Sequence, residues 1–498
     1  MASASPTPTV SPARPDGRCL VGGEWVDTGT HAPVLDKYTG TEVGDICLAD
    51  AALVRRAVVA ASQAAGHTPT ATLADALSHA AMLVRERAAS LAALIVAETG
   101  FTRKDANVEV ARCIETLRLC ADAGRALRGE LVPTPAVPER LAFTLRVPVG
   151  AVAAITPFNS PLNTVAHKVG PALAAGNGVV VKPASVAPLT AVELVRALID
   201  AGVPIELLNI VHGSGSSVGE TLVSDPLVRF VAFTGSTAAG HRIRALAGLK
   251  RMQLELGAIS CTVLCDDADT DWAVPRVVRS AFRKAGQVCT SVQRLYVHER
   301  LYDSVLDQLA ASVDALHVGD PRASETDVGP MISTADADRI TAWVETALHR
   351  GARRVRGGRR QGALVWPTVL VDSPADAAVM AREAFAPLLN VLRFRSDEEV
   401  VDSINALPYG LAAGVFSRNV DRGLRFARRL QMGTVYVNDT SSSRIDAAPY
   451  GGIKESGFGQ EGPARAVLEM TDERLVVLTA VAGGDTDATT RAAARRSA

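Results

Sequence analysis

Apolar positions fall into three regimes along the chain. From residue 50 to 127 they recur at helical spacing, as in LADALSHAAMLVRERAASLAALIVAETG, and that run stops at Gly100. The segment is expected to be mostly helical. A proline-rich passage starts at Glu130, and within it Leu141, Phe143, Leu145 and Val147 occupy every second position. Such alternation predicts an exposed strand or hairpin. From Val149 the period changes again, and short β-branched runs alternate with helical ones. GAVAAIT, NGVVVKP, LLNIVHG, VRFVAFTG and RMQLELG read as strands. Helices are expected through His167 and Leu173, over Leu189 to Ala201, near Val218–Val223, and from about Ser236. This alternation predicts a parallel sheet covered on both faces, with ligands at the carboxyl ends of its strands. A second α/β unit begins after Leu256 with CTVLCDD, continues through WAVPRVVRSAFRKAG, QRLYVH and GTVYVND, and ends in the apolar strand ERLVVL at 473–478.

Length and composition narrow the class. The 498 residues exceed one ordinary domain of ~100–200 residues. Hydrophobic residues make up 48% and charged residues 21%, which excludes a disordered or fibrous chain. Lys+Arg total 52 against Asp+Glu 53, so no basic excess points to nucleic acid or a membrane surface. Residues 1–18 are Pro/Ser/Ala/Thr-rich without an apolar segment and read as a tail, not a signal peptide. The polar stretch after Gly483 reads as a second tail. No run approaches the ~18 apolar residues of a membrane span. Seven scattered cysteines with no CxxC pair suggest a reducing cytoplasm and no metal centre. HExxH, Walker A and GxSxG motifs are absent. Only 7 residues are lysine against 45 arginines, which makes each lysine worth inspecting.

Five segments carry candidate chemistry. In AGQVCTSVQR a helical pattern ends at Gly286 and Cys289 falls in the turn before a strand. A thiol there is either a nucleophile facing a crevice or an inert buried cysteine. In QLELGA, Glu255 alternates with Leu254 and Leu256. It is either an edge-strand residue facing solvent or a buried carboxylate with a task. In ITPFNSPLN, Asn159 is either a turn former or an oxyanion donor. Lys182 ends the apolar strand VVVKPAS, where a doubly wound sheet faces its nucleotide crevice. In FTGSTAAG a strand, a glycine turn at Gly235 and a helix start at Ser236 come in order, an arrangement that can hold phosphate.

In this order and spacing the motifs resemble the aldehyde dehydrogenase superfamily over about residues 19–480. The matching set is TPFN, GPALAAGN after His167–Lys168, VKPAS, FTGS, ELG, GQVC, the EAFAP segment from Glu383 to Pro387, and PYGGIKESGFG from Pro449. The resemblance implies that Cys289 adds to the aldehyde carbon and that Asn159 and the Cys289 amide hold the oxyanion. After hydride transfer to a nicotinamide, Glu255 would activate water to release the acid from the thioester. It further implies that Lys182 meets the adenosine ribose, Gly235 and Ser236 the pyrophosphate, and Glu383 the nicotinamide ribose, with Thr156 and Pro157 beside the cofactor. Lys168 is implied near the same site in a supporting role. Family members that prefer NAD often carry Glu where this chain has Ser185. No carboxylate is left there to repel a 2′-phosphate, so NADP is expected to be accepted alongside NAD. Gly257–Ala258 and Phe385–Ala386 also depart from the family, with Ala where many members have Gly.

The substrate is expected to be a small anionic aldehyde. Ser160, Thr290, Ser291 and Ser441–Ser443 are small and polar where members taking long apolar aldehydes tend to have aromatics. Arg112, Arg294 and Arg444 lie where the family places substrate-side groups, and three converging guanidinium groups would suit a phosphonate or carboxylate. The resemblance is strongest to the branch of phosphonoacetaldehyde, phosphonoformaldehyde and lactaldehyde dehydrogenases. A phosphonate aldehyde therefore comes first, with succinate semialdehyde and lactaldehyde next. A CoA-acylating member would usually lack Glu255, and a non-catalytic structural member would be free to lose Cys289. The implied architecture is α/β: an NAD(P) domain over 19–125 and 148–254, a catalytic domain over 255–456, and a β-strand oligomerisation arm over 126–147 and 457–482. A homodimer or homotetramer follows from an exposed apolar arm.

Overall fold

Crossovers between buried β-branched strands dictate the larger sheet. The computed structural model describes residues 16–137 and 140–479. Strands Ala151–Ile155, Gly178–Lys182, Leu208–Ile210, Val228–Thr234 and Arg251–Glu255 all run parallel. The strand at 151–155 sits between 178–182 and 228–234. Strand order therefore reverses at that point, and a crevice opens beyond the carboxyl ends of these two strands. Helices Asn163–Ala174, Leu189–Asp200 and Thr237–Ala247 are the connections. Gly457–Phe458 and Cys19–Val21 close the parallel set with antiparallel pairs.

The second sheet is parallel over Thr368–Val371, Leu388–Phe394, Val292–His298, Ser260–Leu264, Ala412–Phe416 and Thr434–Val437. Its core is separate from that of the first sheet. The alternating stretch forms the strand Arg140–Pro148, which pairs antiparallel with Thr471–Thr479 from Thr471↔Pro148 to Thr479↔Arg140. Leu141, Leu145, Leu475 and Val477 remain exposed on this small sheet.

The helical segment resolves into Ala51–Ala64, Thr70–Glu86, Ala88–Thr99 and Arg103–Arg125. Gly100 takes the left-handed conformation (φ 72°) that ends the third helix, as its position predicts. Two details differ from the sequence reading. The short helix near 218–223 is split into a wide turn at Gly215–Gly219 and a helix at Glu220–Ser224. Residues 16–18 are not tail, because Asp16–Gly17 pairs with Asp45–Ile46. The remaining tail expectations, 1–15 and 483–498, lie outside the described residues.

Candidate active site

The turn that carries Cys289 is built against backbone preference. Lys284, Ala285 and Gly286 all have positive φ (53°, 51° and 68°). A Cβ on Gly286 would lie 2.0 Å from the Ala386 carbonyl oxygen, so only glycine fits there. Strained residues of this kind cost ~1–3 kcal/mol each and persist where the surroundings over-determine them. The surroundings here are an ion pair. Lys284 Nζ lies 2.6 Å from Glu109 Oε2 and donates to the Asn159 carbonyl oxygen at 2.8 Å. Glu109 in turn accepts from the Leu162 amide at 3.0 Å. The Cys289 turn, the Asn159 loop and the helix Arg103–Arg125 thus share one buried contact.

Cys289 and Asn159 line one cleft of about 990 Å³ with Thr156, Pro157, Lys182, Gly235, Ser236 and Glu383. The cleft lies at the switch point of the larger sheet. Cys289 is half-buried, and its Sγ is 3.5 Å from the Tyr450 hydroxyl. Burial pushes its thiol up to about 11, against a smaller opposing effect of the Tyr450 hydrogen bond. The Asn159 amide donates to the Gln287 carbonyl at 3.0 Å, which holds the side chain beside the same turn. Glu255 ends the strand Arg251–Glu255 and is buried, with neither carboxylate oxygen hydrogen-bonded. Burial, then the nearby Glu461, raises it well above the usual carboxylate range. Lys168 contacts Glu461 at 3.2 Å in the same buried layer. There Lys168 and Arg444 outweigh burial and keep Glu461 ionised.

The cofactor side has the features of a nucleotide cradle. Burial lowers the Lys182 ammonium to about 8. Gly219 passes close to it, where an added Cβ would be 3.7 Å from Lys182 Cδ. Ser236 caps the helix Thr237–Ala247 and accepts from the Ala239 amide at 3.3 Å, leaving the helix start facing the cleft. Glu383 accepts from the Ala258 amide at 2.9 Å and is raised to about 7 by burial. A nicotinamide dinucleotide fits this set, with polar groups spaced along one elongated cleft. Ser185 does not line it; its hydroxyl donates to the Gly213 carbonyl at 2.8 Å.

The three arginines expected to converge do not. Arg294 is buried in the second sheet, where it donates to the Met380 carbonyl at 2.7 Å and to Tyr296. Its strand is buried on both faces, so a long side chain at that register turns inward, away from the cleft. Arg112 and Arg444 do border a second cavity of about 490 Å³, but both are paired. Arg112 grips Asp446 through two bonds of 2.9 and 2.6 Å, and Arg444 reaches Glu461 at 2.7 Å. Arg444 also stacks 3.8 Å from the centre of the Tyr450 ring.

Arg283, which sequence reasoning missed, borders the same cavity. It is half-buried, and no carboxylate lies within ion-pair distance of it among the described residues, Asp105 on the same cavity wall being the carboxylate that acts most on its charge. Its Nη2 donates to Ser442 Oγ at 2.7 Å, and Ser442 also meets Thr290 at 3.1 Å, next to the nucleophile. The available signal was position: Arg283 lies six residues before Cys289, at the end of the preceding helix. Tyr450 and the Lys284–Glu109 pair were missed too, because they act through contacts between distant segments.

Comparison with known proteins places these features. The model of the aldehyde dehydrogenase family matches residues 25–476. A 3-sulfolactaldehyde dehydrogenase of Priestia aryabhattai is 40% identical over 462 residues, covering 92% of this chain and 97% of that protein. An NADP-dependent succinate-semialdehyde dehydrogenase of Escherichia coli is 36% identical, covering 89% and 94%. The crystal structure of an NADP-dependent glyceraldehyde-3-phosphate dehydrogenase from Bacillus halodurans, complexed with NADP, superposes with a TM-score of 0.91 at 33% identity. It covers 94% of this chain and 100% of that one.

Proposed function

This chain belongs to the aldehyde dehydrogenase family, and from that premise we propose that it oxidises a short aldehyde bearing a terminal sulfonate or carboxylate. It is an NAD(P)-dependent aldehyde dehydrogenase with the family's fold. The observation that carries the substrate reading is Arg283, a half-buried guanidinium without an ion-pair partner, joined to the Cys289 turn through Ser442 and Thr290. Burying an unpaired charge is costly, and an anionic substrate would supply the missing partner. Arg112 and Arg444, each neutralised by a carboxylate, shape the wall instead. Arg276 and Arg279 border the same cavity and add to its positive charge, which suits an anionic group on the substrate. The relatives acting on 3-sulfolactaldehyde and succinate semialdehyde fit this reading, and the phosphonate aldehydes take the lower place.

The residues divide the work as follows. Cys289 sulfur attacks the carbonyl carbon, and the developing oxyanion is met by Asn159 Nδ2 and the Cys289 amide. A nicotinamide cofactor, when bound, would supply the hydride acceptor, and the Cys289 sulfur would then hold the acyl group. Glu255 takes a proton from water as the water attacks the thioester, and the acid and free thiol are released. A carboxyl raised by burial is a stronger base than an exposed one, which suits Glu255 to the task. Lys182, Gly235, Ser236 and Glu383 hold the cofactor, and with Ser185 uncharged we place NADP ahead of NAD.

The test is a panel of 3-sulfolactaldehyde, succinate semialdehyde, lactaldehyde, phosphonoacetaldehyde and phosphonoformaldehyde with both cofactors, run on the intact protein and on Arg283→Ala. The intact enzyme is expected to prefer the sulfonate or carboxylate aldehyde. Arg283→Ala is expected to lose about a hundredfold in kcat/KM for anionic substrates (~2.7 kcal/mol) and little for lactaldehyde. Equal losses for charged and uncharged aldehydes would remove Arg283 from substrate recognition.

A further inference from the structure

Outside the cleft, segments near the start of the chain bring together a set of ligand atoms. His31–Leu35 and Glu42–Cys47 pair antiparallel near the start of the chain, and the strand Glu24–Val26, which belongs to the larger sheet, leads into them through Asp27. His31 stands directly across from Cys47 in the antiparallel pair. Asp27 lies four residues before His31, across a turn that Gly29 makes with φ 71°. The Gly29 amide donates to Asp27 Oδ1 at 2.8 Å and fixes where that oxygen points. Asp27 Oδ1 is then 3.1 Å from His31 Nε2 and 3.6 Å from Cys47 Sγ. One donor atom from each residue lies within 4.8 Å of both others.

We propose that Asp27, His31 and Cys47 form a binding site for one divalent transition-metal ion of the Zn²⁺ class. A tetrahedral ion holds nitrogen and oxygen at ~2.0–2.2 Å and thiolate sulfur at ~2.3 Å, so its ligands stand roughly 3.3–3.6 Å apart. Asp27 Oδ1 stands close to those separations from both His31 Nε2 and Cys47 Sγ, and Cys47 Sγ lies 3.8 Å from the other ring nitrogen, His31 Nδ1, so a small turn of the imidazole completes the set. The donor set of carboxylate, imidazole and thiolate suits a borderline-soft ion and not Mg²⁺ or Ca²⁺. Asp45 supplies the outer support. Its Oδ2 is 2.7 Å from His31 Nδ1, so the carboxylate holds the proton on that nitrogen and leaves Nε2 free for the ion.

Access and charge agree with the site. Cys47 is buried at its floor, while Asp27 and His31 are exposed at its mouth. The nearest arginine, Arg18, is bound to Asp16 at 2.6 Å and so does not supply the compensating charge. Three protein ligands leave the fourth position to water. None of these residues lines the catalytic cleft, so the ion would staple the first strands to one another and would not enter the reaction. The competing arrangement is an imidazolium shared between Asp27 and Asp45, with the Cys47 thiol uninvolved.

Cobalt titration of the full chain separates the two. The probe is Co²⁺ added without oxygen to chelator-treated Cys289→Ser protein, in which the half-buried active-site thiol is gone. One equivalent is expected to give the thiolate-to-cobalt charge-transfer band and the intense visible bands of a tetrahedral ion, and Zn²⁺ is expected to displace it. Adding Cys47→Ser should abolish the charge-transfer band, and His31→Ala, at an exposed position, should weaken binding at least tenfold. Asp45→Asn should weaken it by ~10–100-fold. No thiolate band with the parent protein, or a band that survives Cys47→Ser and His31→Ala alike, overturns the site. Folding of each variant is read by its thermal midpoint without metal.

Discussion

Lys284 and Glu109 form a buried ion pair of 2.6 Å that joins the nucleophile turn to a helix 175 residues away in sequence. The pair does more than neutralise charge. Lys284 also holds the Asn159 backbone carbonyl, so one ammonium sets the spacing between the thiol and the expected oxyanion donor. Burial alone would lower this ammonium, and the Glu109 carboxylate opposes that effect. Removing one partner of such a pair strands the other charge and costs about 3–5 kcal/mol. Lys284→Met is therefore expected to lower the urea midpoint strongly and to reduce kcat by at least ~10-fold through misplacement of Asn159. A double change with Glu109→Leu should recover stability but not kcat. Full activity in Lys284→Met would refute the positioning role.

Among the described residues, the Tyr450 hydroxyl is the hydrogen-bonding partner of the Cys289 sulfur, at 3.5 Å. Tyr450→Phe keeps the ring on which Arg444 stacks and removes only that contact. A hydrogen bond of this type is worth ~1 kcal/mol, or about fivefold. The thiol, already raised to about 11 by burial, should rise further. Alkylation of the free enzyme by iodoacetamide should therefore increase with pH toward 11, and Tyr450→Phe should be about fivefold slower at pH 8. An alkylation rate that levels off near pH 7 in the unliganded enzyme would contradict this.

The five parallel strands of the larger sheet were legible because buried strands are written as short β-branched runs, but Thr368–Val371, Leu388–Phe394 and Ala412–Phe416 of the second sheet were not singled out, and strand order rests on contacts that no single run reveals. Cys289, Asn159 and Lys182 were legible as turn or strand-end residues whose type does not suit a plain structural role. Arg294 was misread because position along a strand does not reveal which way a long side chain turns. Arg283 went unseen among 45 arginines, since a missing carboxylate partner is a property of the fold, not of a segment. Cys47 looked like one more isolated thiol, and only the register with His31 gives it neighbours.

Cofactor preference should carry a pH signature. Lys182 is lowered to about 8 by burial, so in the free enzyme its ammonium is present below pH 8 and lost above it. A 2′-phosphate needs that charge. The KM for NADP is expected to stay level up to pH 8 and then rise by up to about tenfold per pH unit, while the KM for NAD stays nearly level. NADP kinetics that are flat to pH 10 would take Lys182 out of phosphate recognition.

The strand Thr471–Thr479 exposes apolar side chains on both faces of its small sheet. Residues directly opposite in an antiparallel pair share a face, which puts Leu141 and Leu478 on one side and Leu475 and Val477 on the other. The strand is also the edge of its sheet, with its outer backbone groups unpaired among the described residues. An edge this long and apolar is suited to pairing, and a second copy of the chain would offer a matching edge. Leu145→Asp with Leu475→Asp is expected to shift the assembly to monomers in light scattering, because a buried carboxylate on each face opposes association. The cleft lies in other elements, so cofactor affinity should change by less than about threefold. A doubly substituted protein that keeps its assembly state would show that the arm is not the contact.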